Sequence, residues 1–280
     1  MEIITKYFPD LSQKQIQQFA ALKDLYVEWN DKINMISRKD IANFYKHHVL
    51  HSLAIAKKFS FPAEYEVMDL GTGGGFPGIP LAIYFSAAQF HLVDSINKKL
   101  KVANEVAKAI GLTNVTTQHI RVEEIRNRKF DIVVSRAVAP LKDLCRWSKP
   151  LIQTSNAKGK DFRGLICLKG GDLNKEISES GCIIQTHDIA KIFDEDFFKE
   201  KYILAAALCL RRIILGLFPN YFYQPVVHLR RVANRKIMHC ACINKSPFFI
   251  ESLGLCVVLP NTQPHRFVIF FSSKLQSELH

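Results

Sequence analysis

The sequence predicts an α/β protein in which a mostly parallel, doubly wound sheet follows an N-terminal helical extension. Two observations predict the sheet: short apolar runs alternate with helical runs after Pro62, and a glycine-dense turn, DLGTGGGFPGIP, follows the first of these runs. Strands separated by helices of this length form βαβ units, whose crossovers cover both faces of a parallel sheet. A third observation predicts the extension, because apolar residues before Pro62 recur at steps of three and four.

Composition indicates a globular chain with a polyanionic partner. The 280 residues are 48% hydrophobic and 23% charged, without a run of eighteen apolar residues, so we expect neither a disordered chain nor a membrane span. The opening MEIITKYFPD lacks the basic start and continuous apolar core of a signal peptide, which favours the cytoplasm. The net charge of +12 is a weak indication of a nucleic-acid partner, because Lys and Arg near phosphates release counterions.

Cysteine and histidine placement predicts no metal site. Seven cysteines are an odd number in a chain too long to need disulfide bonds, so we expect free thiols. Cys240 and Cys242 adjoin His239, but no second pair stands at zinc-finger spacing. A cluster in the second helix has no carboxylate or cysteine at ligand spacing: His47, His48 and His51.

Residues 1–62 are predicted to form two helices that pack on the sheet domain. The first runs from Ser12 to Ile36, and Ser12 with Gln15 forms a capping box at its start. Its buried face consists of Ile16, Phe19, Leu22, Tyr26, Trp29 and Ile33. The second helix covers Ile41 to Phe59.

Residues 63–203 are predicted to form the sheet domain. We expect strands at YEVMDL, FHLVD, NVTTQHI, FDIVVSRA, GLICLKG, GCIIQTHDIAKIF and FFKEKYIL. Helices are expected at GIPLAIYF, at NKKLKVANEVAKAI and from Leu141 to Ile152, and the polar stretch TSNAKGKDFRG is expected to be a loop.

The glycine-rich turn predicts a nucleotide-like ligand. Such a turn between a strand and a helix lets backbone N–H groups approach a ligand closely. Gly73, Gly75 and Gly78 satisfy the dinucleotide pattern G-x-G-x-x-G, but that pattern should start directly after the strand, where Gly71 already stands. The spacing that starts correctly is Asp69, Gly71, Gly73 and Gly75, an acid followed by alternating glycines.

Asp94 is the second candidate ligand residue. Adenosine cofactors in such folds place their ribose hydroxyls against an acid at the end of the second strand, and FHLVD ends in Asp94. The alternative role for Asp94 is a purely structural cap on the helix that begins INKKLKVANEV.

The acid followed by alternating glycines resembles motif I of S-adenosylmethionine-dependent methyltransferases. Further segments resemble the bacterial small-subunit ribosomal RNA methyltransferase G family: VMDLGTGGGFPGIPLAI, LVDSINKKLKVANEVAKAIGLTNV, RVEEI, FDIVVSRAVAPL, YVEWNDKINMIS and HHVLHSLAI. The resemblance covers about Leu11 to Ile203. It implies a Rossmann-like class I fold and transfer of a methyl group from S-adenosylmethionine to N7 of guanosine 527 in 16S rRNA. The implied partner is 16S rRNA or the 30S subunit, and we expect a monomer that binds no membrane.

The resemblance implies site residues by motif position. Cofactor contacts are expected at Asp69, Gly71, Gly73, Gly75, Phe76, Asp94, Val122, Glu123 and Arg136. Substrate-positioning or catalytic residues are expected at Arg136, Lys98 and Arg121. One departure is His51 in HHVLHSL, where the family more often has an acid, which affects a local contact of the helical extension.

Three other functions fit the same residues. A small-molecule methyltransferase would use the same cofactor loop, and the net positive charge of the chain would then have no role in substrate binding. A non-catalytic nucleotide-binding module, or an oxidoreductase that binds a dinucleotide, would use the loop for binding, although the position of Gly71 argues against a dinucleotide.

Residues 204–280 match nothing in that family. This segment holds nine Lys or Arg and only two acids, Glu251 and Glu278, so its net charge is +7. An RNA-binding module is suggested by this charge and by FPNYFYQP, and a membrane-associated tail by YILAAALCL and IILGLF. We favour a third interpretation, a shifted reading frame or lost stop codon, because acids nearly vanish and no helical or strand period persists.

Overall fold

The computed structural model describes all residues except 34–35, 137, 154–161, 209–227, 233–234, 241–254, 259–266 and 272–280. The chain divides into two units, Met1–Leu217 and Phe218–His280. Within the described part of the chain, none of the helices has the length and apolar character needed to cross a membrane.

The N-terminal extension is helical, as predicted. Its α-helices are α1 (Glu2–Tyr7), α2 (Gln13–Lys32), α3 (Arg38–Ala42) and α4 (His51–Leu53), with a π-helical turn at Tyr45–Leu50 and a 3₁₀ turn at Ile55–Lys57. The capping box of α2 forms, because Ser12 Oγ accepts from the Gln15 N–H and Gln15 Oε1 accepts from the Ser12 N–H. The continuous second helix predicted over Ile41 to Phe59 was wrong in detail. Its middle widens into the π-helical turn, which apolar spacing does not reveal.

The sheet has seven strands in the order β3-β2-β1-β4-β5-β7-β6. Their bounds are β1 Glu66–Leu70, β2 Gln89–Asp94, β3 Val115–His119, β4 Ile132–Arg136, β5 Gly164–Gly170, β6 Ile184–Asp188 and β7 Lys201–Ala206. The helices between them are α5 Gly78–Tyr84, α6 Asn97–Ala109, α7 Leu141–Ser148 and α8 Asn174–Ser180. Only β7 runs antiparallel to its neighbours, β5 and β6. The mostly parallel sheet and its seven strands are therefore confirmed, while α8 was not predicted. The last two predicted strands were too long, because 3₁₀ turns at Ile189–Lys191 and Asp196–Phe198 occupy parts of them.

Buried side chains form two apolar clusters, which confirms the doubly wound arrangement. One cluster joins residues of the extension, such as Phe19 and Leu50, to sheet residues such as Phe90 and Ile132, all 0–1% exposed. The other joins α7 to the sheet through residues such as Leu144 and Val133, both fully buried. The extension thus shares an apolar core with the sheet, and this core holds the helices of the extension against the sheet.

The sheet continues past the domain boundary predicted at residue 203. Leu204, Ala205 and Ala206 are at most 2% exposed, and Ala206 is the register partner of Leu165 on β5. These residues are part of β7 because small and apolar side chains fit between β5 and β6. Residues 204–206 therefore belong to the sheet domain.

The second unit contains four antiparallel strands in the order β10-β11-β9-β8. They are β8 His228–Val232, β9 Arg235–Cys240, β10 Leu255–Val258 and β11 Phe267–Phe271. Strand pairing thus occurs where no strand period was found in the sequence. The runs FPNYFYQP and IILGLF lie outside the described residues, and the origin of this segment stays a prediction.

Candidate cofactor and substrate cleft

A cleft of about 590 Å³ opens at the carboxyl ends of β1, β2 and β4. Because β1 lies between β2 and β4, the winding of the chain reverses here, and ligands of open α/β sheets bind at such reversals. Predicted site residues that line the cleft are Gly71, Gly73, Phe76, Asp94, Arg121, Val122, Glu123 and Arg136. The structure thus brings together residues that are up to 65 positions apart in the sequence.

Main-chain atoms of the glycine loop form one side of the cleft. The Gly71 and Thr72 N–H groups donate to the Val93 carbonyl at 2.9 and 3.0 Å, which ties the loop to the end of β2. Gly73 has φ +55°, in the left-handed region that favours glycine, and a Cβ there would meet no protein atom within 4 Å. The protein therefore leaves the space beside Gly73 open to a ligand.

Asp69 supports the loop from behind and does not line the cleft. Its Oδ2 accepts from Thr72 Oγ1 at 2.5 Å and from the Gly78 N–H at 2.8 Å, and its Oδ1 has no partner among the described residues. Burial raises the pKa of Asp69 to about 7, although these two hydrogen bonds counteract the rise. Gly75 also lies behind the loop surface, where an added Cβ would be 2.5 Å from Ile79.

Asp94 lies at the cleft surface and also holds the loop. Its Oδ2 accepts from the Gly73 N–H and its Oδ1 from the Ile96 N–H, both at 2.7 Å. Asp94 is not the cap of α6, because the N-cap position is Ile96; the Asp94 carboxylate instead binds the N–H of that residue and borders the cleft. Each oxygen retains acceptor capacity for a ligand hydroxyl.

The remaining candidates differ in their distance from the cleft. Arg121, Val122 and Glu123 lie at and within the 3₁₀ turn that follows β3, and all three border the cleft. Lys98 is exposed on the first turn of α6 and does not line the cleft, whereas its neighbour Lys99 does. The structure therefore separates Lys98 from the other predicted site residues.

Arg136 ends β4 and faces the helical extension. Its Nη2 lies 3.2 Å from His48 Nδ1, its Nη1 donates to the His48 carbonyl at 3.5 Å, and its Cζ lies 4.9 Å from the Phe76 ring centre. Burial lowers the pKa of Arg136 to about 10, so the guanidinium remains charged at neutral pH. This arrangement presents a desolvated cation to the cleft.

Several cleft residues come from elements that no sequence motif linked to the site: Tyr26, Ile36, His48 and Trp147. Tyr26 was predicted only as a core residue, yet its hydroxyl donates to the Gly74 carbonyl at 2.5 Å. His48 was expected to be an ordinary solvated or core-edge histidine, after a metal-binding role had been set aside. The only signal in the sequence was that Tyr26 and His48 each place a polar atom on a predicted helix. That pattern does not identify the atom to which it bonds.

The residues present fit S-adenosylmethionine. Clefts of about 300–1,000 Å³ hold ligands of this size. The open space at Gly73 accommodates close approach to the main chain, and Asp94 offers a carboxylate of the kind that ribose hydroxyls require. Apolar side chains suited to a purine face also line the cleft, among them Val122 and Trp147.

Comparison with known proteins identifies the family. A family model described as rRNA small subunit methyltransferase G matches residues 15–200. Curated relatives named ribosomal RNA small subunit methyltransferase G are 58% identical over 204 residues in Phocaeicola vulgatus and 57% identical over 204 residues in Bacteroides thetaiotaomicron. These alignments cover 73% of this chain and 97% and 98% of the relatives. The relative from Cytophaga hutchinsonii is 47% identical over 205 residues, covering 73% of this chain and 98% of its own.

The matched region contains the glycine loop, the strand-end acid, Arg136 and the helical residues that border the cleft. The match extends over about two thirds of the chain, and the relatives are covered almost completely. The chain therefore belongs to the rRNA small subunit methyltransferase G family.

Proposed function

We propose that this protein transfers a methyl group from S-adenosylmethionine to N7 of guanosine 527 in 16S rRNA. The observation that carries the proposal is that the family match spans every predicted residue lining the cleft. The relatives' names specify small-subunit rRNA. Our proposal adds the nucleotide, guanosine 527, and the methylated atom, N7.

Binding and orientation are the main tasks of the protein in this reaction. S-adenosylmethionine supplies an electrophilic methyl group when bound. Guanine N7 has an in-plane lone pair and no proton at neutral pH, so the residues of the cleft need not act as a general base. Proximity and alignment contribute on the order of 7–11 kcal/mol in well-oriented reactions. A rigid loop tied by Asp94 and Val93 suits that task.

Arg136 is proposed to position the target nucleotide. An arginine recognises guanine O6, or phosphate oxygens, through paired N–H donors. Gripping N7 itself would block the reaction, so O6, a phosphate or the cofactor carboxylate is the target of this side chain. Its partly buried position beside Phe76 strengthens such contacts, because less water competes for the guanidinium.

The basic rim is proposed to contact the RNA backbone. Arg121 and Lys99 border the cleft, and Lys98 lies on the adjacent helix surface. The target base must be unstacked to enter such a cleft, because base edges in A-form RNA are hard to reach. Binding should therefore weaken steeply as salt concentration rises. Monomeric state and cytoplasmic location stay predictions.

Methyl transfer from labelled S-adenosylmethionine tests the proposal directly. The protein is incubated with free 16S rRNA or with 30S subunits that lack the modification, and the labelled base is mapped. Label at N7 of guanosine 527 is the expected result. Label only in a small molecule would support the small-molecule alternative, and cofactor binding without transfer to either RNA substrate would support the non-catalytic one.

A further inference from the structure

The contacts of Arg136 come from outside the sheet. The guanidinium lies against the side chain and main-chain carbonyl of His48 and over the face of Phe76. Within the described chain, no carboxylate forms an ion pair with it. The side-chain hydrogen bonds of Arg136 among the described residues thus come from His48 of the helical extension, while Phe76 of the glycine loop supplies an aromatic face.

The contact fixes the protonation of the His48 ring. A guanidinium has donors only, so the Nδ1 atom at 3.2 Å from Nη2 must be an acceptor. The ring proton of neutral His48 is therefore on Nε2. Burial and the charge of Arg136 lower the pKa of His48 to about 4, so the imidazole is neutral at physiological pH.

The position of His48 is itself fixed on several sides. It lies within the π-helical turn Tyr45–Leu50, and Ser52 Oγ donates to its carbonyl at 2.7 Å. The Phe44 ring stacks at 6.0 Å between centres, and the Phe76 ring is tilted at 5.3 Å. A ring held in this way is a rigid acceptor, which is what orients a long, flexible arginine.

We propose that His48 is a positioning residue for methyl transfer: its Nδ1 atom and carbonyl hold the Arg136 guanidinium at the cleft in the orientation that receives the target nucleotide. The inference rests on the proposed function and deepens it. It makes the helical extension a part of the catalytic apparatus, because the sheet alone does not supply the acceptor. His48 acts through Arg136 and need not touch the substrate.

Three substitutions separate this role from a merely structural one. In His48→Asn, the side-chain amide oxygen takes the place of the Nδ1 acceptor. In His48→Gln, the amide oxygen lies at the position of Nε2 instead. His48→Leu has no polar side-chain atom at either position. We expect kcat/KM for rRNA methylation to fall about 10- to 100-fold in His48→Leu, as for loss of a hydrogen bond to a charged group, and to recover to within about fivefold in His48→Asn but not in His48→Gln. Calorimetric affinity for S-adenosylhomocysteine and the melting temperature are measured on every variant.

His51→Leu is the matched control. His51 is a neutral histidine on the same helical segment and is more deeply buried than His48. The Nε2 atom of each has no hydrogen-bond partner among the described residues, but His51 does not line the cleft. We expect its kcat/KM to stay within about twofold of wild type. If His48→Leu matched wild type, or if His48→Gln recovered activity better than His48→Asn, the proposed role of Nδ1 would be wrong.

A measurement independent of activity keeps the inference separate from the proposed function. Nitrogen-15 NMR of histidine-labelled protein at pH 7 should show His48 with Nε2 protonated and Nδ1 unprotonated, and the Nδ1 shift should change in Arg136→Leu. A protonated Nδ1 would overturn the inference even if rRNA is methylated. If wild type methylates no rRNA, the proposed function fails, while the expected tautomer and its response to Arg136→Leu would still support the His48–Arg136 pair.

Discussion

The cleft has two walls that originate in different ways. The loop wall consists of residues 71–74 and Phe76 with Asp94 and the turn at 121–123, and it presents mainly backbone atoms and strand-end side chains. The helical wall consists of Tyr26, Ile36 and His48, which come from the N-terminal extension. Short motifs at the ends of neighbouring strands build the first wall, and the packing of the helical extension on the sheet builds the second. Sequence motifs therefore identify the loop wall and overlook the helical wall.

The two walls are joined directly. The Tyr26 hydroxyl donates to the Gly74 carbonyl, and the Arg136 guanidinium contacts His48. A loop held only by its own turn would adapt to many ligands, whereas a loop bonded to a helix is held in one conformation. We therefore expect the loop wall to govern cofactor binding. We expect the helical wall to govern how precisely the glycine loop and Arg136 are positioned.

The largest expected effect is on the loop wall. Gly73→Val should abolish cofactor binding, because its side chain would fill the space open to the ligand, and isothermal calorimetry measures this. Gly111→Val is the matched control: Gly111 also has a positive φ, +66°, and open space around it, but it lies after α6 and away from the cleft. Both should lose similar stability through backbone strain. Wild-type affinity in Gly73→Val would contradict our placement of the ligand.

The next effect separates cofactor from RNA residues. Asp94→Ala should weaken S-adenosylmethionine binding by about 1–3 kcal/mol, through loss of ribose contacts and of the hydrogen bond that fixes Gly73. Lys98→Ala should leave that affinity within about twofold and reduce rRNA methylation, because Lys98 is exposed outside the cleft. Calorimetry and methyl-transfer rates on both variants check this. Equal loss of cofactor affinity would remove the distinction.

The contribution of Asp69, which supports the glycine loop from behind, to the free energy of unfolding should depend on pH. The folded pKa of Asp69, about 7, lies above the ordinary value near 3.9, so between these values the folded state binds more protons than the unfolded state. The Asp69 contribution to the free energy of unfolding therefore decreases as pH rises from about 4 to 7, by up to about 1.4 kcal/mol per pH unit. Asp69→Asn should lack this component in urea denaturation at several pH values. Parallel pH profiles of both proteins would show that Asp69 does not titrate in this range.

A smaller effect is expected from the helical wall. Tyr26→Phe removes only the hydroxyl bonded to Gly74, and should cost about 1 kcal/mol of stability and less than tenfold in cofactor affinity. Tyr45→Phe is the control, because the Tyr45 hydroxyl also donates to main-chain carbonyls, those of Phe19 and Ala20, away from the cleft. Thermal melting and calorimetry should show similar stability losses and an affinity loss only in Tyr26→Phe. An affinity loss in both variants would mean that the effect is not local to Gly74.

The smallest effect on cofactor affinity is expected from removing residues 209–280, because both walls precede them. A chain ending at Leu208 should bind S-adenosylmethionine as wild type does. A chain ending at Ile203 should be less stable by several kcal/mol, since it also loses the buried Leu204, Ala205 and Ala206. Limited proteolysis with binding assays checks this. A protease-resistant tail whose removal abolishes rRNA methylation but not cofactor binding would establish a substrate module.

Local patterns predicted most of the sheet and one wall of the site. Alternating strands and helices placed β1 to β7, and Asp94 followed from its position at a strand end. Apolar spacing placed Tyr26 on the buried face of α2, but nothing local shows that its hydroxyl bonds to a carbonyl 48 residues away. The same spacing predicted a helix around His48 without its π-helical turn. Contacts between distant segments depend on packing, which periodicity does not determine.

The helical wall also has a consequence for inhibitor selectivity. Compounds that imitate the adenosine half of the cofactor contact the loop wall, whose acid-and-glycine pattern resembles that of many methyltransferases. A compound extended toward Tyr26, Ile36 and His48 would contact side chains that the sheet domain does not supply. Chemical groups that hydrogen-bond to Tyr26 or His48, or pack on Ile36, should therefore favour this protein over methyltransferases that lack the extension.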